Sequence, residues 1–288
     1  MERSVEFYCR GERIAALLHL PEGAGPGAAL PAIVLCHGYF AIKEQWIPEY
    51  ARRFVDAGFA ALTFDYRGFG ESEGARGWLS PYEQVRDIRA AMSFMELREE
   101  VDPNRIGLWG TSFGCGHVVV AASLDGRAKA VVAQGGFGDA DRLLRRRGHE
   151  AYSQVTAMIE EDRTRRVLEG RSKCIPFAAM LNDEETLNAT LEVMKRYPRM
   201  NVELPIEALA EIREYKPECR APYVTAPILV IGAENDALVP VDESVAIYER
   251  AEEPKRLEIL PISHIGLYRG EGMEAASGLA VDWFGQHL

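Results

Sequence analysis

Three side chains, far apart along the chain, have the types and settings that acyl chemistry needs. Ser112 sits in Gly110-Thr111-Ser112-Phe113-Gly114, after the apolar run Arg105–Trp109 and before the helix-like stretch Cys115–Ser123. In a strand–turn–helix setting, Gly-x-Ser-x-Gly displays a serine hydroxyl at the tip of a strained turn. The flanking glycines are expected because a Cβ would strike the neighbouring strand or helix. A serine hydroxyl is a poor nucleophile until a base takes its proton. Imidazole is the side chain whose pKa suits that task.

Of six histidines (His19, His37, His117, His149, His264 and His287), His264 is the expected base. It follows the predicted strand Leu257–Leu260 in a loop that precedes the last helix. His19 lies in an early strand, His117 inside the helix after Ser112, and His287 at the terminus. His37 is read as a brace for its loop. A carboxylate must hold the imidazole tautomer and stabilise its cation. Asp236, after the buried strand Ile228–Ile231, is favoured and completes the order Ser…Asp…His. Asp242 and Glu234 are its rivals: Asp242 is expected to cap the helix after Pro240, and Glu234 to brace the loop.

The oxyanion needs preorganised donors. The Phe113 N–H, at the positive end of a helix, is one. The other is expected from His37-Gly38-Tyr39-Phe40, through the Tyr39 N–H or, alternatively, its hydroxyl. Cys115 is a conceivable second nucleophile, but the helix should carry it away from the turn. Trp78, Phe137, Phe177 and Met180 could line an acyl pocket or simply belong to the core.

The elements that must bring these residues together alternate strand and helix. Val5–Cys9 and Ile14–Leu20 read as a hairpin, and Ala32–Cys36, Phe59–Phe64, 105–110, Ala128–Ala133, Ile228–Ile231 and Lys255–Leu260 as further strands. Helices are expected over Trp46–Ala57, Pro81–Arg98, the residues after Ser112, Asp242–Ala251 and Glu271–Gln286. The alternation predicts an α/β fold, a mostly parallel sheet with helices on both faces. Right-handed crossovers then bring the loops of Tyr39, Ser112, Asp236 and His264 to one sheet edge. The rhythm breaks between 138 and 222, a segment rich in Arg, Glu, Leu and Met with helical spacing. The reading is a core of 1–137 and 223–288, with 138–222 inserted as a helical cap or, less interestingly, as an extra lobe.

Composition removes other classes. The 288 residues carry a formal charge of -11, which argues against nucleic acid. No apolar stretch reaches the ~20 residues that span a bilayer, and the first residues lack the apolar segment of a signal peptide. A cytoplasmic location is expected. Five scattered cysteines form no zinc or redox spacing. Gly68-x-Gly70 with Gly74 and Gly77 lacks the order of a phosphate loop and reads as a structural turn. The run Arg145-Arg146-Arg147 could hold a substrate carboxylate, or pair with Glu160, Glu161 and Asp162.

The chain resembles the α/β-hydrolase superfamily. The resemblance rests on His37-Gly38-Tyr39, Asp65-Tyr66-Arg67-Gly68-Phe69-Gly70-Glu71-Ser72, Gly110–Gly114, Gly232–Pro240 and His264. Within it, the chain is similar to the dienelactone-hydrolase-like and X-Pro dipeptidyl-peptidase-like branches. The resemblance implies an eight-stranded sheet and metal-independent hydrolysis through an acyl-enzyme. Dienelactone hydrolases themselves carry a cysteine where this chain has Ser112. Dehalogenases and epoxide hydrolases carry aspartate there. The expected activity is hydrolysis of an ester, thioester or amide of a small molecule, an ester first, with no cofactor and no metal. Acyl transfer or carbon–carbon bond cleavage would use the same groups; a non-catalytic binding protein is the reading from another class. Beyond a small-molecule substrate, the only partner considered is a second copy in a homodimer.

Overall fold

A computed structural model describes residues 1–181 and 183–288. The chain begins with β1 (Glu2–Cys9), β2 (Glu12–His19) and β3 (Leu30–Cys36), followed by α1 (Ile47–Asp56) and β4 (Ala60–Phe64). Next come α2 (Pro81–Glu96), β5 (Val101–Thr111), α3 (Phe113–Leu124) and β6 (Ala128–Gln134). Then follow α4 (Ala140–Arg145), α5 (His149–Glu169), β7 (Cys174–Pro176), α6 (Glu184–Arg196), β8 (Glu203–Pro205) and α7 (Ile206–Glu214). The chain closes with β9 (Ile228–Ala233), α8 (Asp242–Arg250), β10 (Lys255–Leu260) and α9 (Gly270–His287).

Eight strands form one sheet in the order β1-β2-β4-β3-β5-β6-β9-β10. β1 pairs with β2, and β2 with β4, antiparallel; the pairings from β4 onward are parallel. The central strands are mostly apolar where both faces are covered. Alternate residues serve alternate cores. Val34, Cys36, Ile228 and Val230 belong to one buried cluster, Ile33, Leu35, Leu229 and Ile231 to the other. The second cluster also takes Tyr50 and Phe54 of α1 and Phe284 of α9; the first takes Ile88 of α2 and Val118 of α3. Each such side chain, fully buried, contributes roughly 1.5–3 kcal/mol.

The expected strands and helices are present with their ends shifted by a few residues. The segment between β6 and β9 is mostly helical, but β7 and β8 add a two-stranded antiparallel ladder that the lack of β-branched runs did not announce. Its first helix is anchored firmly. The Asp139 side chain caps α4 by accepting from the N–H groups of Asp141 and Arg142, at 2.9 and 3.1 Å. Arg142 bridges Glu218 and Glu243, both at 2.6 Å. Glu243, on α8, also accepts from the Gly138 N–H at 3.0 Å. This buried network ties the chain leaving β6 to the final third of the fold.

Candidate active site

The turn between β5 and α3 is strained as its sequence predicts. Ser112 has φ 55° and ψ −121°, a left-handed backbone that side chains other than glycine rarely adopt. Close packing on both sides holds it there. A Cβ on Gly114 would lie 2.1 Å from the Cys36 carbonyl oxygen, and one on Gly110 would lie 2.2 Å from that of Gly114. The Ser112 N–H donates to the Gln134 carbonyl of β6 at 2.8 Å.

His264 follows β10 and Asp236 follows β9, the adjacent parallel strand. His264 Nδ1 lies 2.6 Å from Asp236 Oδ2, and both side chains are buried. The other Asp236 oxygen accepts from the N–H groups of Leu238 and Val239, at 2.9 and 2.7 Å. The carboxylate is therefore locked from its own loop and can orient the imidazole. Ser112 and His264 line one small cleft, with His37, Gly38, Thr111 and Tyr268. No hydrogen bond joins Ser112 Oγ to His264 among the described residues.

The rivals fall elsewhere. Asp242 is the first residue of α8 and makes no side-chain cap; it is bonded instead to Arg146. The expected cap is missing because the helix begins one residue early: Val241 takes the N-cap position and Asp242 stands already inside the first turn. Glu234 is exposed, and only its N–H braces the loop, on the Leu260 carbonyl at 2.8 Å. His117 is buried between the Tyr215 hydroxyl and Gln84, and burial pushes its pKa down to about 3. His37 braces its loop through the Gly38 carbonyl at 3.0 Å, and burial pushes its pKa down. Cys115 is wholly buried, and burial pushes its thiol up to about 12, so a thiolate nucleophile is disfavoured.

The N–H groups of Tyr39 and Phe113 donate to no protein acceptor among the described residues. Gly38 lets that loop approach the serine: a Cβ there would sit 2.9 Å from Ser112 Cβ. Beneath the loop, Asp65 accepts from Lys43 N, Lys43 Nζ and Glu71 N, each at 2.8 Å. The Asp65 motif was legible in the sequence; its partner Lys43 was not.

A second, larger cavity of about 250 Å³ is also lined by Ser112. Phe137 and Met180 line it, with apolar residues of α4 and α7, whereas Phe177 lines the smaller cleft. Trp78 lines neither. It follows a loop folded on itself by hydrogen bonds from Gly77 N to the Gly68 carbonyl and from Trp78 N to the Ala75 carbonyl, both at 3.0 Å. The arginine run does not pair with Glu160, Glu161 or Asp162. Arg145 binds Asp141 at 2.7 Å, Arg146 binds Asp242, and Arg147 donates to the Met180 carbonyl at 2.9 Å. The carboxylates of Asp141 on α4 and Asp242 on α8 are closer than those along α5.

Among the described residues there is no cluster of metal-ligating side chains and no helix long and apolar enough to cross a membrane. The sequence matches the family model described as serine aminopeptidase S33 over residues 27–263. It is 36% identical over 284 residues to an uncharacterized 31.7 kDa protein of the traX-finO intergenic region of Escherichia coli, covering 96% of this chain and 97% of that one. It is 28% identical over 279 residues to the quorum-quenching protein AidA of Acinetobacter baumannii, covering 94% and 90%. Among solved structures, hypothetical protein PA2218 of Pseudomonas aeruginosa superposes with a TM-score of 0.84 at 27% identity, over 100% of this chain and 94% of that one. The fold, the strained serine turn and these matches agree: the chain belongs to the serine aminopeptidase S33 family of α/β-hydrolases.

Proposed function

We propose that this protein hydrolyses an ester of a small organic acid through a serine acyl-enzyme. The observation that carries the reading is the buried 2.6 Å Asp236–His264 pair, facing the cleft that also holds Ser112. Ser112 Oγ attacks the carbonyl carbon as His264 takes its proton. The oxyanion forms against the free N–H groups of Tyr39 and Phe113. His264 then gives the proton to the departing alkoxide, and the alcohol leaves. Water, deprotonated by His264, adds to the acyl-enzyme; collapse frees the acid and returns the proton to Ser112. The hydroxyl and imidazole need to close only when substrate fills the cleft, as catalytic hydrogen bonds commonly do.

Two cavities meet at Ser112, and their characters assign the two halves of the substrate. His264 must protonate the leaving group, so the alcohol belongs in the small cleft of about 40 Å³. The acyl chain belongs in the larger apolar cavity. Residues 138–222 act as the cap, since α4, α5 and α7 supply much of that wall. An ester is favoured over an amide because an alkoxide departs more easily than an amine. The test is a 4-nitrophenyl alkanoate assay with a fluorophosphonate label. The wild type should turn over the ester and carry the label on Ser112, and Ser112→Ala should do neither. Turnover undiminished in Ser112→Ala would reject the reading.

A further inference from the structure

Apart from Ser112 and Tyr39, the larger cavity is lined by apolar residues and three arginines, Arg146, Arg147 and Arg213, and among the described residues no aspartate or glutamate lines it. In a chain of net charge -11, such a one-signed wall is unexpected. Arg146 is compensated, by Asp242. Arg147 is not: among the described residues no carboxylate lies within 4 Å, and its one hydrogen bond is to the Met180 carbonyl at 2.9 Å. It is half-buried, and burial pushes its pKa down. Arginine nonetheless stays charged in proteins and carries five N–H donors in a fixed fork. Arg213 likewise has no carboxylate within 4 Å among the described residues, and there it donates to Thr156 Oγ1 at 3.2 Å. The Tyr39 hydroxyl, buried without a hydrogen-bond partner among the described residues, lies within the electrostatic reach of Arg147. Partly buried cations and an orphaned hydroxyl on one apolar wall are costly unless an acceptor completes them.

We infer that the acyl half of the substrate carries an oxyanion, a carboxylate remote from the scissile ester, which Arg147 binds with the Tyr39 hydroxyl as a second donor. The substrate class is thus the half-ester of an apolar dicarboxylic acid. This rests on the hydrolase reading above and adds the specificity of its acyl site. The anion sits on the acyl side because the guanidinium groups line the apolar chamber, whereas His264 faces the other cleft.

The experiment compares 4-nitrophenyl octanoate with mono(4-nitrophenyl) octanedioate. In the wild type, kcat/KM should favour the half-ester by about 10- to 100-fold, the range of one charge-assisted hydrogen-bonded pair. Arg147→Gln should bring the ratio of the two substrates towards unity, and Arg147→Lys should restore part of it. The ratio is taken on one preparation, so the fraction of folded enzyme cancels. A wild-type ratio at or below one, or a ratio that Arg147→Gln leaves unaltered, overturns the proposal. So does a preference that appears only when the anion is on the leaving group, as in the octanoyl ester of 4-hydroxybenzenesulfonate. A measurement without variants runs in parallel: octanedioate should bind the wild-type protein about 10-fold more tightly than the neutral octane-1,8-diol by calorimetry, and equal binding is contrary evidence. If Ser112 takes no label and neither ester is cleaved, the hydrolase reading fails by itself, and the calorimetric comparison still decides the anion site.

Discussion

The Tyr268 hydroxyl lies 2.8 Å from Thr111 Oγ1, tying the loop that carries His264 to the strand that ends at Ser112. Thr111 Oγ1 also accepts from Gln134 Nε2 at 3.2 Å, and Tyr50 donates to the Leu267 carbonyl at 2.7 Å. The Tyr268 ring packs edge-on to His264 at 5.9 Å. Burial pushes the Tyr268 phenol well up, so it stays neutral. Tyr268→Phe should cost about 1 kcal/mol of stability, a typical buried hydrogen bond, read by urea unfolding. It should lower kcat more than it raises KM, because the proposed nucleophile and base lose a shared support. An unchanged kcat would assign Tyr268 to packing alone.

Asp236→Asn should keep the fold, since an amide oxygen can still accept from Leu238 and Val239, but it should favour the wrong imidazole tautomer. A loss on the order of 10⁴ in kcat is expected, the size found when a serine protease triad aspartate is so changed. Ester turnover and the rate of fluorophosphonate labelling should fall together. Asp242→Asn, by contrast, should have little effect on either rate.

Gly38 is the sensitive backbone position of the proposed oxyanion site. A methyl group there meets Ser112 Cβ at 2.9 Å, so the loop or the serine must shift. Displacement of about 1 Å can cost 10²-fold in rate. Gly38→Ala should therefore reduce kcat by roughly 100-fold, with a smaller change in KM. Full activity would show that the Tyr39 N–H is not a donor to the oxyanion.

Acid should destabilise the fold through His117. Its pKa falls from 6.5 in the unfolded chain to about 3 when buried against Tyr215 and Gln84. The unfolded state then binds more protons between those values, so stability rises with pH across that window and levels off above about 6.5. His37 and His19, also pushed down by burial, act in the same direction. Denaturant unfolding at pH 7.5 and pH 5 should show a lower stability at pH 5. The His117 imidazole should show no NMR titration between those two values. A midpoint near 6.5 would contradict the burial argument.

The strand and helix order and the serine turn were readable because each leaves a local mark. Buried parallel strands are continuous apolar runs, and a nucleophile turn needs glycines at fixed offsets. Asp236 follows such a run and His264 follows the half-exposed edge strand β10, so topology alone predicts that their loops share an edge. The ladder of β7 with β8 left no mark, since three-residue strands have no period to detect. Trp78 was misplaced because an aromatic residue looks the same in a pocket or on a folded-back loop. Asp242 was expected to cap because its preceding proline and following helix are local, whereas Arg146 is 96 positions away.

Sequence by itself determined the sheet and the strained serine turn it carries, and pointed to the side chains proposed to react, because type, spacing and periodicity are properties of neighbours along the chain. Only the tertiary structure decided which ions are paired. Arg145, Arg146 and Arg147 are chemically identical in the sequence; folding gives the first Asp141, the second Asp242, and the third no carboxylate within 4 Å among the described residues. Pairing depends on distance through space, and the elements that set those distances meet only once α4, α7 and α8 pack over the sheet.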